Sequence, residues 1–173
     1  TSACETMAPV GFVAVAGDNC VSNAALVNPV TYFADVDGDG AGDAAVTQQF
    51  CETTAPVGFS ANSNDLCVSN ASLLAPVTYY ADVDGDGAGD AAVTQQFCET
   101  TAPIGFSVNA NDLCVSNAQL LAPVTYFLDT DHDGFGAAGS SASVCDTTAP
   151  IGYSTDGSDC DDTALLYADT DGD

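Results

Sequence analysis

Aspartates at alternate positions among glycines, in a chain without a single lysine or arginine, pose a chemical question before a structural one. Asp35, Asp37 and Asp39 are followed by Gly40, Ala41 and Asp43, and the pattern returns unchanged as Asp82, Asp84, Asp86, Gly87, Ala88 and Asp90. In a backbone bent by glycines, carboxylates at positions 1, 3 and 5 of a loop turn onto one point and a carbonyl at position 7 joins them, as in the front half of an EF-hand-type calcium loop. The expected ligands are therefore Asp35, Asp37, Asp39, Asp43 and the Ala41 carbonyl in one loop, and Asp82, Asp84, Asp86, Asp90 and the Ala88 carbonyl in the next. Oxygen-only ligands select a hard cation and disfavour zinc, copper and iron. Ca2+ is the expected ion, because it accepts six to eight oxygens in loose geometry where magnesium does not.

Position 12, a bidentate glutamate in an EF-hand, is Val46 or Val93 here, and no second helix is expected to follow. The missing ligands are expected from acids and amides beside a later cysteine: Asp65 and Asn70, Asp112 and Asn117, and Asp159, Asp161 and Asp162. A third loop keeps Asp129, Asp131 and Asp133 with the Phe135 carbonyl, but Ala137 stands at position 9, so weaker binding is expected unless a neighbour compensates. A fourth begins with Asp169, Asp171 and Asp173. Asp and Gly are also ordinary turn residues, but three alternating aspartates in register four times, without a balancing base, argue for an ion.

The elements that must position these loops come from a repeat. Cys4, Cys51, Cys98 and Cys145 each lie 47 residues after the last, and residues 31–77 return as 78–124 with five changes. The organisation is a partial repeat over 1–30, full repeats over 31–77 and 78–124, a variant over 125–166 and the start of another over 167–173. Such periods mark solenoids or arrays. The expected fold class is small β and irregular tandem repeats, a linear array of disulfide- and calcium-stabilised units with little regular secondary structure. Within a unit, PVTYFAD reads as a strand entering the acidic loop, APVGFSA as a second short strand after a Pro-Gly turn, and NDLCVSNASLLAP as one helical turn stopped by Pro76. Both ends fall inside a repeat. The expectation is either continuation of a longer array or self-association in which half-units meet head to tail.

Net charge is -25 over 173 residues, so the surface repels nucleic acid and anionic lipid. A hydrophobic fraction of 46% argues against plain disorder. No apolar run reaches the length of a membrane span. Eight regularly spaced cysteines point to an oxidising compartment, and the chain is expected to be secreted or on a cell surface. Cys4 with Cys20, Cys51 with Cys67, Cys98 with Cys114 and Cys145 with Cys160 is the favoured pairing because none is left over; the shifted scheme, starting at Cys20 with Cys51, strands Cys4 and Cys160.

These motifs resemble thrombospondin type 3 repeats, and more closely bacterial extracellular repeats with YYxDxDGDGxG, then Cys, then PxGY, then DCDD. The third full unit carries the match in Tyr126, Asp129, Asp131, Asp133, Gly134, Gly136, Cys145, Pro150, Gly152, Tyr153, Asp159, Cys160, Asp161 and Asp162. The middle units depart from it, with DLCVSN in place of DCDD. The resemblance implies aspartates that coordinate calcium and units that serve as spacers or surface modules, hence no catalysis.

Other features carry blander readings. A glycosidase needs one acid of raised pKa in a substrate cleft, and a single histidine builds no Ser-His-Asp set. His132 is expected to point outward, and Phe12, Phe59, Phe106 and Tyr153 to pack a small core. Asn70-Ala71-Ser72 matches a glycosylation sequon that Asn23 and Asn117 lack, and Thr53-Thr54-Ala55-Pro56 offers acceptors for O-linked glycans. The expected function is a calcium-rigidified stalk, spacer or fibre subunit, with a calcium-dependent adhesion or glycan-binding module as the alternative.

Overall fold

The computed structural model describes Val10 and residues 17–163. Cys4, Phe12 and the fourth acidic loop, Asp169, Asp171 and Asp173, lie outside the described residues. The described chain holds three small antiparallel sheets and no helix. β1 (Val30–Ala34) lies between β2 (Asp43–Phe50) and β3 (Phe59–Ser60). The same order recurs in β4 (Val77–Ala81), β5 (Asp90–Phe97) and β6 (Phe106–Ser107), and in β7 (Val124–Leu128), β8 (Ser141–Val144) and β9 (Tyr153–Ser154). The chain divides into two compact units: Thr1–Pro76 with Cys98–Thr100 contains the first sheet, and Val77–Phe97 with Thr101–Asp173 contains the other two.

Each central strand is β-branched and aromatic, which suits a pleated, half-buried surface. Tyr32, Tyr79 and Tyr126 are almost fully buried, and the Tyr32 hydroxyl donates to the Glu52 carbonyl at 2.9 Å. Phe50 packs 6.2 Å from Tyr32 and 4.9 Å from Phe59, centroid to centroid, closing a small aromatic cluster over the sheet. As expected, Phe59 follows a tight turn: its N–H donates to the Pro56 carbonyl at 3.0 Å, and Gly58 takes φ 81°, as the third position of a type II turn requires. Three tyrosines, three half-cystines and two alanines make up the buried hydrophobic residues among the described ones. Units this small rarely hold together on so little core without covalent or metal staples.

The longest strand of each of the first two sheets escapes sequence pattern. Ala44–Gln49 is exposed throughout, so no alternation marks β2. Its register slips between Phe33↔Thr47 and Ala34↔Asp43, which leaves Ala44–Val46 as a bulge. The anticipated helical turn is absent. Asn70 N–H donates to the Cys67 carbonyl and Leu73 N–H to the Asn70 carbonyl, making two successive turns, and the Asn70 side chain accepts from Ser72 N–H. Asparagine that bonds its own backbone in this way competes with helix.

The favoured cysteine pairing is overturned. The disulfides are Cys20–Cys51, Cys67–Cys98 and Cys114–Cys145, each with a sequence separation of 31. Strand direction explains the error. Val30 pairs with Phe50, so β2 delivers Cys51 beside the segment that precedes β1. Cys67 instead follows Asp65, which bridges Asp43 at the opposite end of β2, on the order of 20 Å away along an eight-residue strand. Cα atoms in the bonded pairs are 5.2–5.3 Å apart. Cys160 is exposed and unpaired. Closing loops of this length contributes about 3–4 kcal/mol each on the chain-entropy model.

Candidate metal centre

The first acidic loop is wound around its own carboxylates. Asp35 Oδ1 accepts from Gly38 N–H at 2.8 Å and Oδ2 from Gly40 N–H at 3.1 Å; Asp37 Oδ1 accepts from Asp39 N–H at 3.4 Å and Asp39 Oδ1 from Ala41 N–H at 2.7 Å. Gly38 and Gly40 make the winding possible at φ 83° and 93°, a region costly for residues with a Cβ. The result brings one carboxylate oxygen each from Asp35, Asp37 and Asp39 within 4.8 Å of one another, and the same holds for Asp82, Asp84 and Asp86 and for Asp129, Asp131 and Asp133.

The structure also places the second set of acids. Gly42 N–H donates to the Asn62 carbonyl at 2.7 Å and Asp65 N–H to the Gly42 carbonyl at 3.3 Å, which seats Asp65 beside the loop's end. Asp112 is held in the same way by Gly89, and Asp159 by Gly136. Asp65 and Asp112 are each 2% exposed. In the third unit an oxygen of Asp159 and one of Asp162 lie within 4.8 Å of Asp131. Asp162 reaches that point because Thr130 donates to it twice, from N–H at 2.7 Å and from Oγ1 at 2.6 Å. A neighbouring acid thus approaches the loop that lacks a carboxylate at Ala137. Asp161 instead accepts from Thr163 and joins no triplet.

Several nominated ligands are engaged elsewhere. Asn70 and Asn117 donate through Nδ2 to the Cys98 and Cys145 carbonyls at 2.8 and 2.9 Å, and accept from Ser72 and Gln119 N–H. Both amide ends are used by the fold, so these residues fasten the disulfide segments. The same bond uses one of the two N–H groups on the nitrogen that a sugar would need on Asn70. Asp43 and Asp90 turn Oδ1 to Ala45 and Ala92 N–H and stand outside the triplets. Ala41 and Ala88 are buried, whereas Phe135 is 45% exposed. Val46, where an EF-hand has its last ligand, lies on the exposed bulge of β2.

Sequence reading missed Ser60, Ser107 and Ser154. Each donates its hydroxyl at 2.5 Å to the carbonyl of the loop's sixth residue, Gly40, Gly87 or Gly134, and so ties β3, β6 or β9 to the acidic loop. Their recurrence after Pro-x-Gly-Phe/Tyr was the available signal.

Whether an ion suits these loops is answered by polar atoms without partners. Asp37, Asp65, Asp84, Asp112, Asp131 and Asp159 each bury an Oδ2 that has no hydrogen-bond partner. A buried carboxylate oxygen left unpaired is strongly unfavourable, and the chain has no lysine or arginine to pair with it. All the gathered donors are oxygens, so the triplets can hold a hard divalent cation and are compatible with calcium. Comparison with protein-family models, curated proteins and solved structures finds no match.

Two titrations follow from the third unit. Loss of hydration raises Asp131 above 3.8; the Asp133 N–H opposes this, and the charges of Asp133, Asp159 and Asp129 add to it. Hydrogen bonds from Thr130, with His132 nearby, lower Asp162 below the same value. Without an ion, the Asp131 contribution is present at acid pH and is lost as pH rises through its raised pKa, whereas the Asp162 contribution is present above 3.8 and is lost as pH falls through its lowered one. With chelator present, NMR titration of this unit is expected to show Asp131 titrating above 3.8 and Asp162 below it.

His132 occupies the place of Gly38 and Gly85 and takes φ 66°. Its side chain is exposed, as expected, with Nδ1 3.1 Å from the Thr130 carbonyl oxygen. Histidine tolerates this region better than most residues but still at a penalty. His132→Gly is expected to stabilise the third unit by up to about 1 kcal/mol in chelator, read as a higher melting temperature.

Proposed function

We propose that the chain is a non-catalytic extracellular structural protein, an array of repeats made rigid by calcium and serving as a stalk, spacer or fibre-forming subunit. The observation that carries this reading is the set of six buried, partnerless carboxylate oxygens among the described residues of a chain without lysine or arginine. Calcium fits them best, since the donors are all oxygen and extracellular modules bind it with dissociation constants of about 10⁻⁴ to 10⁻³ M. Disulfides support the extracellular assignment. Linear order is supported by the 47-residue period and by disulfides that each cross a boundary of that period. Small-angle scattering during a calcium titration tests the reading: the particle should lengthen and stiffen at saturation, and an unchanged profile would count against it.

The alternative, an adhesion or glycan-binding module, draws on Val57, Ile104 and Ile151, which are fully exposed at the tips of the Pro-x-Gly turns. Val57→Ser with Ile104→Ser should abolish capture by such a module and leave a stalk's scattering profile unchanged.

A further inference from the structure

Asp65 divides its carboxylate between two tasks. Oδ1 accepts from the Cys67 N–H at 2.6 Å, while Oδ2 is buried without a partner. Asp112 does the same, with Cys114 N–H at 2.6 Å. Both cysteines are 2% exposed and disulfide-bonded, to Cys98 and Cys145. In these two repeats one carboxylate therefore stands between the end of the acidic loop and the disulfide.

We propose that Asp65 and Asp112 are positioning residues that couple cation binding to disulfide stability, so that the bound ion and the oxidised Cys67–Cys98 and Cys114–Cys145 bonds strengthen one another. The inference rests on the calcium reading above. The segment around Asp65 is anchored by the 3.3 Å bond to Gly42, the Leu66 N–H bond to the Leu74 carbonyl at 2.9 Å, the bond to Cys67, the bonds that Asn70 donates to the Cys67 and Cys98 carbonyls at 2.8 Å each, and the disulfide itself. Reduction by a dithiol breaks the S–S bond, leaves Cys67 and Cys98 each protonated as a thiol, and closes the dithiol into its own cyclic disulfide. The Cys67 segment is then held by hydrogen bonds alone, and the carboxylate is free to turn to water, where its hydration is better than in the apo loop. An ion that needs Oδ2 in place binds this opened form less well. Linkage is reciprocal, so the ion shifts the disulfide equilibrium toward the oxidised state by the same factor.

Cys20–Cys51 supplies the comparison within the same molecule. Asp18 Oδ1 accepts from Cys20 N–H at 2.8 Å, but Asp18 is exposed and its carboxylate retains water. Its disulfide should gain only what general stabilisation provides.

The test equilibrates the intact chain with graded ratios of reduced to oxidised dithiothreitol, in chelator or in saturating calcium. Free thiols are trapped by alkylation, each disulfide is quantified by mass spectrometry, and calcium binding to the oxidised chain is followed by calorimetry. Calcium is expected to lower the reduced-to-oxidised ratio of Cys67–Cys98 and Cys114–Cys145 about tenfold more than that of Cys20–Cys51. Asp65→Asn keeps an acceptor for Cys67 N–H and removes the charge. It should erase the extra protection of Cys67–Cys98 and leave that of Cys114–Cys145, and Asp112→Asn should do the reverse. An equal response of all three disulfides in the wild-type chain overturns the coupling, whatever the folding of the variants. Calcium heat with no such difference sinks the coupling alone, and no calcium heat sinks the calcium reading with it.

Discussion

Removing calcium with a chelator, with disulfides intact, is expected to lower the melting temperature by roughly 10 °C. At tenfold excess of ion over its dissociation constant, each site adds about 1.4 kcal/mol to the folded state, so the three described acidic loops, at one ion each, together contribute about 4 kcal/mol. A chain of this length shifts by roughly 2–4 °C per kcal/mol. The mechanism is visible in each loop: three carboxylate oxygens lie within 4.8 Å of one another with no lysine or arginine to offset them. Two unit charges 4 Å apart repel by about 1 kcal/mol in water and about 4 kcal/mol near a protein surface. Concentrated monovalent salt screens part of that repulsion but supplies no ligand field for the buried Oδ2 atoms, so it should restore only a fraction of the loss. Scanning calorimetry with and without chelator decides the matter. An unchanged melting temperature in calcium-free buffer would remove the central claim.

How much of this was legible before the structure differs from residue to residue. The triplets were, because alternation of Asp with Gly specifies both the ligand and the bend that gathers it. Asp65, Asp112, Asp159 and Asp162 were legible as acids in search of a site, yet the bridge from Asp43 to Asp65 that seats the first of them lies in backbone pairing, which no residue type announces. β1 was legible from its tyrosine and β-branched neighbours. β2 was hidden, because Ala44–Gln49 is exposed on both faces and carries no alternation. The cysteine pairing failed for the same reason: without β2, nothing showed that the chain returns along β1 and brings Cys51 to Cys20. Asn70 and Asn117 were misread because an amide that bonds two backbone groups looks, in sequence, like an amide free to bind an ion.

Gly42→Ala is expected to destabilise the first unit by about 3 kcal/mol or more and to abolish ion binding at Asp35, Asp37 and Asp39. The reason is space rather than backbone angle, since Gly42 is not in the left-handed region. A Cβ there would lie 2.5 Å from Phe33 Cβ, 2.7 Å from the Phe33 carbonyl oxygen and 2.8 Å from its carbon. Two of those atoms are backbone of the central strand, which is paired on both sides and cannot give way. The end of the loop must therefore lift from β1. Lifting it breaks the bonds of Gly42 to Asn62 and Asp65, which are what seat the buried carboxylate beside the loop's end. Ion affinity and fold should consequently fall together, and excess calcium should recover neither. Gly139→Ala is the control, because a Cβ at that position meets nothing within 4 Å, and its effect should stay within about 0.5 kcal/mol. Comparing the two variants by thermal melting and calcium calorimetry separates loss of fit from loss of glycine. A Gly42→Ala protein that bound calcium normally would show that the close approach of loop to strand does not build the site.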